Sequence, residues 1–190
     1  MLEGLKKDVS AILEQDPAAR NLLEVLFLYS GLHAILLHRP AHWLYRRKVF
    51  FGARLLSQFA RFLTGIEIHP GAKIGRGVIF DHGSGVVIGE TAEVGDDCVI
   101  YQGVTLGGTG KETGKRHPTI GKNVLIGSGA KVLGPFTVGD NCKIASNAVV
   151  LQAIPEGTTV VGIPARAARK HGEKTRQEVA IPYLQTDNDS

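Results

Sequence analysis

Cysteine is scarce in this 190-residue chain: Cys98 and Cys142 are the only two, and they have neither metal-type pairing nor the numbers for a disulfide framework. Both read as small buried residues. Aromatic residues make up only 6%, with Trp43 the single tryptophan, and those of the front third read as helix packing rather than base-stacking platforms. Charge of one sign is also lacking, since 22 Lys and Arg against 18 Asp and Glu leave a net +4, too little and too dispersed for a nucleic-acid partner. It still suits an anionic cofactor. The longest apolar run, Leu22 to Leu37, is interrupted by Glu24, Ser30, Gly31 and His33 and falls short of the roughly 20 residues of a membrane-spanning helix. The first twenty residues carry Glu3, Asp8, Glu14 and Asp16 and hold no signal-peptide core. The expectation is a cytoplasmic protein without a membrane or nucleic-acid partner.

Glycine, by contrast, is abundant and unevenly placed: all but three of the 24 lie between Gly52 and Gly162. Before them, Leu22, Val25, Leu26, Tyr29, Leu32 and Leu36, then Leu44, Val49, Leu55, Phe59 and Phe62, follow helical spacing, punctuated at Gly31, Arg39-Pro40 and Thr64-Gly65. Residues 1–64 therefore read as a helical subdomain. From residue 68 an apolar residue recurs every six positions: Ile68, Ile74, Phe80, then Ile88, Val94, Ile100, Leu106, then Ile120, Ile126, Val132, Val138, Ile144 and Val150. Four positions later the residue is mostly small, as at Ala72, Ser84, Ala92, Cys98, Ala130, Cys142 and Ala148. Neither a helix nor a simple alternating strand has this period, whereas a parallel β-helix of flat faces and tight corners does, three hexads to a coil. The glycine after many of the apolar residues, as in Ile74-Gly75 and Ile126-Gly127, is expected to supply unusual corner angles. The β-helix is assigned to residues 65–165, with an extended loop over 107–119, and the tail 166–190 is expected to lack fixed structure.

The period slips twice, the spacing being eight residues instead of six between Phe80 and Ile88 and fourteen between Leu106 and Ile120. A regular solenoid gains nothing from such insertions, so they are candidate functional loops. Each carries a histidine, in Asp81-His82-Gly83 and in Arg116-His117-Pro118. The segments Asp81-His82-Gly83-Ser84-Gly85-Val86-Val87-Ile88-Gly89-Glu90-Thr91, Val104-Thr105-Leu106-Gly107-Gly108-Thr109-Gly110-Lys111 and Arg116-His117-Pro118 resemble the serine acetyltransferases, hexapeptide-repeat acyltransferases. The likeness extends over roughly residues 5–170, through Gly65-Ile66-Glu67-Ile68-His69-Pro70 and forward to Gly162-Ile163-Pro164-Ala165-Arg166.

That resemblance implies a left-handed parallel β-helix preceded by an α-helical subdomain, and transfer of acetyl from acetyl-CoA to the hydroxyl of L-serine, the first step of cysteine biosynthesis. An alcohol is a poor nucleophile at neutral pH and needs a base, for which His82 is the candidate. Glu67, one coil earlier, is the candidate for orienting its imidazole. The resemblance further implies Asp16 and Asp81 for the substrate ammonium, Arg116 for its carboxylate through a two-pronged contact, and His117 against the hydroxyl or the developing oxyanion. For acetyl-CoA it implies Gly108, Ser128, Lys143 and Ser146. It also implies L-cysteine as feedback inhibitor at the serine site, a homotrimer or dimer of trimers, and no metal. The family's complex with O-acetylserine sulfhydrylase depends on a terminal isoleucine, and this chain ends Asp187-Asn188-Asp189-Ser190, so that partner is not expected.

Other readings of the same residues stand beside these. Asp16 before Pro17 also fits a helix N-cap, Glu67 an outward strand position, and His33, His38, His42, His69 and His171 structural histidines. A zinc enzyme on this solenoid would use three histidines, two of them five residues apart, yet Lys122 stands five after His117. An acetyltransferase for sugars or other hydroxyl acceptors, or a non-catalytic partner of the sulfhydrylase, are the remaining alternatives.

Overall fold

In the computed structural model, which describes residues 2–111 and 113–174, four helices precede a parallel β-helix of five coils. The helices are α1 (Leu2–Gln15), α2 (Leu22–Leu28), α3 (Ser30–Arg46) and α4 (Phe50–Thr64). Helix α2 is capped by the Asn21 side chain, which accepts from the Glu24 N–H at 3.0 Å. Helix α4 ends in the left-handed Gly65, whose N–H reaches the Arg61 carbonyl. The expected break at Arg39-Pro40 does not occur, because α3 runs through Pro40 to Arg46. The break expected at Gly31 falls two residues earlier, at the extended Tyr29 between α2 and α3; Gly31 itself lies in the first turn of α3, where an added Cβ would stand 2.5 Å from the Phe80 carbonyl oxygen.

Each coil contributes one strand to each of three faces, except that the fifth reaches the second face only through the bridge residue Ile154, paired with Val138. The first face stacks β1 (Glu67–Ile68), β4 (Val87–Ile88), β7 (Thr105–Gly107), β10 (Lys131–Leu133) and β13 (Val149–Val150). The second stacks β2 (Lys73–Ile74), β5 (Glu93–Val94), β8 (Thr119–Ile120) and β11 (Thr137–Val138). The third stacks β3 (Ile79–Asp81), β6 (Val99–Tyr101), β9 (Leu125–Ile126), β12 (Lys143–Ile144) and β14 (Thr158–Val161), and closes with β15 (Arg166–Lys170) and β16 (Glu173–Lys174). All pairings between coils are parallel, and the last two strands run antiparallel. The tail after Ala165 is thus a folded hairpin as far as Lys174, where the sequence reading expected none; it pairs the backbone edge that β14 would otherwise expose. Residues 175–190 lie outside the described residues.

The six-residue period fills the prism. Every hexad residue except the partly buried Ile74 is buried, and Ala72, Ala92, Cys98, Ala130, Cys142 and Ala148 pack beside them. Ser84 departs from this pattern. It is exposed, and Val86 takes the interior place because the two-residue insertion moves the corner. The glycines that follow the hexad residue serve a purpose other than the one expected. None of Gly75, Gly95, Gly121, Gly127 or Gly139 has positive φ. A Cβ on them would instead strike the coil above, at 2.6 Å from the Ser146 nitrogen for Gly127 and 2.5 Å from the Glu156 nitrogen for Gly139. Left-handed residues stack instead in two columns, Gly85, Gly103, Gly129 and Asn147 at one corner, and Gly77, Asp97, Asn123, Asn141 and Gly157 at another.

Helices α1, α2 and α3 dock on the third face through a second apolar cluster of Val9, Ala11, Ile12, Val25, Leu32 and Ile79, while α4 packs against β1 of the first face, its Ser57 hydroxyl donating to the Ile68 carbonyl at 2.8 Å. A buried Asp8 pins α1 there, accepting the Gly77 N–H at 2.9 Å and the Arg39 guanidinium at 2.5 Å. Removing one partner of such a pair typically costs about 3–5 kcal/mol.

Candidate active site

The first insertion turns the corner between β3 and β4, and it does so with three left-handed residues: His82 (φ 58°), Gly83 (62°) and Gly85 (73°). This conformation swings the His82 imidazole outward. Its side chain is 78% exposed, with Nε2 3.8 Å from an Asp81 carboxylate oxygen. Asp81, His82 and Asp16 line one cleft of about 400 Å³ together with Tyr29, Gly31 and Tyr101. Asp16 does not cap a helix. It follows α1 and accepts the Tyr29 hydroxyl at 2.6 Å and the Ala18 N–H at 2.8 Å. The Tyr29 hydrogen bond, followed by that of Ala18, holds the Asp16 carboxyl below the usual range, while Asp16 pushes the Tyr29 hydroxyl up to about 12. Asp16 is therefore a carboxylate anchored at the mouth of the cleft, and two carboxylates beside an exposed imidazole suit a cationic group next to a group that loses a proton.

Glu67 is placed differently from the sequence expectation. Its carboxylate is held between two arginines of α4, Arg54 at 3.0 Å and Arg61 at 3.4 Å, and makes no hydrogen bond to His82. Arginines at 54 and 61 lie two turns apart on one helix face, so both reach the first strand of the solenoid. In the isolated chain the carboxylate nearest His82 is that of Asp81.

The second insertion lies elsewhere. From β7 the chain loops out and returns through Lys115, Arg116 and His117 onto the corner between β4 and β5. There the Arg116 guanidinium pairs with Glu90, which also accepts the Tyr45 hydroxyl at 2.6 Å. Those two hydrogen bonds, Tyr45 first, keep the Glu90 carboxyl below its ordinary value. The His117 ring is buried, its Nδ1 2.8 Å from the Thr91 hydroxyl oxygen and 3.2 Å from the Thr91 N–H. Burial, and then the neighbouring Arg116 charge, lower its pKa. Sequence reasoning assigned no role to Tyr29, Tyr45, Glu90 or Thr91; Glu90 and Thr91 stood inside a quoted motif, but nothing in a single sequence tied them to residues 116 and 117.

The two histidines thus sit at opposite ends of the first face. Between them lie Val86 to Gly89, four residues at about 3.3 Å each, roughly 13 Å and longer than an amino acid. The residues assigned to the cofactor divide in the same way. Ser128 and Ser146 stand on the His82 corner, which climbs through a column of hydrogen bonds from Gly103 to Ser84, Gly129 to Gln102 and Asn147 to Ser128 at 2.8–2.9 Å. Lys143 is exposed on β12 beside that column. Gly108 lies at the other end, against Arg116. Among the described residues no group of three or more His, Cys, Asp or Glu side chains is placed to hold a metal ion, and no single helix is long and apolar enough to cross a membrane.

Comparison with known proteins gives a consistent picture. A model of the bacterial transferase hexapeptide (six repeats) matches residues 117–152. Serine acetyltransferase of Bacillus licheniformis is 61% identical over 175 residues, which are 92% of this chain and 81% of that protein. Serine acetyltransferase of Helicobacter pylori is 61% identical over 166 residues, 87% of this chain and 97% of that protein. Among solved structures, serine acetyltransferase of Neisseria gonorrhoeae superposes with a TM-score of 0.87 at 41% identity over 89% of this chain, which spans 66% of that one, just under two thirds. The gonorrhoeal enzyme in complex with serine gives 0.85, at 41% identity over 88% of this chain and 69% of that one. A serine acetyltransferase in complex with cysteine gives 0.84, at 42% identity over 88% and 70%.

Proposed function

The chain belongs to the serine acetyltransferase family, and from that premise we propose that it transfers acetyl from acetyl-CoA to the hydroxyl of L-serine at a site assembled from two copies of the chain. The observation that carries the assembly is the separation of the two half-sites: Asp16, Asp81 and His82 at one end of the first face, Arg116 and His117 at the other. Three prisms placed corner to face around a threefold axis bring the first end of each against the second end of its neighbour. Helix α4 supports this, since it leaves Phe51 and Phe62 each 84% exposed and Leu55 62% exposed beside that face.

At the assembled site Asp16 and Asp81 receive the serine ammonium, and Arg116 the carboxylate. His82 takes the hydroxyl proton as the serine oxygen attacks the thioester carbonyl. The tetrahedral intermediate then collapses, the C–S bond breaks, and the proton held by His82 passes to the departing CoA sulfur. His117 faces the reacting oxygen. Acetyl-CoA lies along the column that carries the half-buried Ser128 and the exposed Ser146, with Lys143 toward its phosphates and Gly108 contributed from the other copy. L-cysteine keeps both charged groups of serine and competes for the same place. The protein works in the cytoplasm as a trimer or a dimer of trimers. The expectation about the sulfhydrylase partner falls on the C-terminal residues, outside those described.

Release of CoA from acetyl-CoA, measured with L-serine against a panel of sugars and amino alcohols, tests this. Serine is expected to be the preferred acceptor, and equal turnover with a sugar lacking carboxylate and ammonium would overturn the assignment of the acceptor site.

A further inference from the structure

The corner Gly89-Glu90-Thr91 touches both loop residues of the second half-site, each of its three residues in a different way. A Cβ at Gly89 would lie inside the His117 imidazole, against Cδ2 and Nε2, so glycine makes the room in which the ring lies. Glu90 holds the Arg116 guanidinium and is itself held by Tyr45 from α3. Thr91 is fully engaged: its hydroxyl oxygen accepts the Arg116 N–H at 3.0 Å and the His117 N–H at 3.2 Å. With both lone pairs used, the hydroxyl proton is left to point at His117 Nδ1, 2.8 Å away. The Thr91 backbone N–H, which can only donate, is aimed at the same nitrogen at 3.2 Å. Two donors converge on Nδ1, so this nitrogen carries the lone pair and the ring proton sits on Nε2.

We propose that this corner is a positioning platform that presents Arg116 as a fixed carboxylate receptor and His117 as a neutral Nε2–H donor, so that of the two histidines only His82 acts as a base. The inference rests on the reading of Arg116 and His117 as the acceptor side of the site, and it deepens that reading. The surroundings agree with a neutral ring: Arg116 and Lys115 face it from its own loop and His69 from the preceding coil, while among the described residues Glu90 is the one carboxylate near it and is already paired with Arg116. A donor of fixed tautomer aimed at the reacting oxygen stabilises the negative charge that develops there, and losing one such donor typically costs about a hundred- to a thousandfold in turnover. Glu90 and Thr91 act through the loop residues and do not touch substrate.

Nitrogen-15 NMR of the histidine-labelled, ligand-free protein, with His117 assigned by difference from His117→Ala, reads the tautomer directly. A pyridine-type Nδ1 and a pyrrole-type Nε2 are expected; the reverse overturns the inference whatever the enzyme's substrate. In turnover assays His117→Gln, whose amide nitrogen reaches the place of Nε2 and is not basic, is expected within about tenfold of wild type, whereas His117→Ala loses about a hundredfold or more. His82→Gln is expected to be as inactive as His82→Ala. Thr91→Val lowers kcat by about tenfold, with Thr91→Ser restoring it, and Glu90→Gln raises the serine KM several-fold with little change in kcat. Equal inactivity of His117→Gln and His117→Ala, or equal losses in kcat and KM for both corner variants, refutes the platform. An Arg116→Ala enzyme with unchanged serine KM refutes the underlying reading instead and leaves the tautomer result standing.

Discussion

Mixing two inactive variants tests the divided site most directly. His82→Ala removes the base from one end of the first face, and His117→Ala removes the donor from the other, so each homomeric variant has no intact site. If a site takes its His82 from one copy and its His117 from the next, random co-assembly in equal amounts gives each interface a one-half chance of an intact partner on either side. The expected rate is therefore about one quarter of wild type, whatever the number of copies in the ring. Mixed trimers isolated through two different affinity tags all contain one functional interface of three, so about one third of wild-type activity per trimer is expected. The assay is CoA release at saturating serine and acetyl-CoA, with the homomeric variants, each expected at or below about one hundredth of wild type, as the floor. A tag-purified mixed trimer that stays at that floor would refute a site shared between copies, because the only remaining arrangement is one in which a single chain must hold both histidines.

Three further outcomes follow from the same geometry. His82 is a non-glycine residue at φ 58°, a conformation that costs roughly 1–2 kcal/mol, so His82→Gly is expected to abolish turnover while keeping or raising the thermal midpoint; a clear fall in that midpoint would show that the imidazole supports the fold. His38 is buried, with an unpartnered Nδ1, and burial first, then the charge of His42, pushes its pKa down to about 4. The unfolded chain takes up a proton below about 6.5 that the folded chain refuses, so stability falls between about pH 6.5 and 4 by up to roughly 3 kcal/mol. Denaturant titrations across that range should show a shallower fall for His38→Gln, and an unchanged slope would exclude His38 as the cause. Arg116→Ala is expected to raise the serine KM about ten- to a hundredfold, the worth of a charged hydrogen bond, with little effect on the acetyl-CoA KM and a matching loss of cysteine inhibition. A change confined to acetyl-CoA would move Arg116 to the cofactor side.

What could be read from residues alone was the part of the molecule that repeats. An interior only wide enough for one aliphatic and one small residue per hexad leaves the same mark at Ile100 and Val104 as at Ile144 and Ala148, and the two breaks in that mark named His82 and His117 as the places where chemistry gathers. The partners of those residues were decided by tertiary structure. Whether Thr91 meets His117, or Glu67 meets Arg54 and Arg61 rather than His82, depends on how many residues each coil consumes and on where a helix docks, and the insertions change both. Val87 pairs with Thr105 eighteen residues on, but Glu93 pairs with Thr119 twenty-six residues on, because the long loop leaves and re-enters between them. The glycines make the same point, since a local rule ascribes them to turns while the stacking of coils demands them for closeness. A periodic sequence specifies the cross-section of a solenoid because every coil solves the same packing problem; the contacts that build a site join residues a coil or more apart, so they exist only once the coils are stacked.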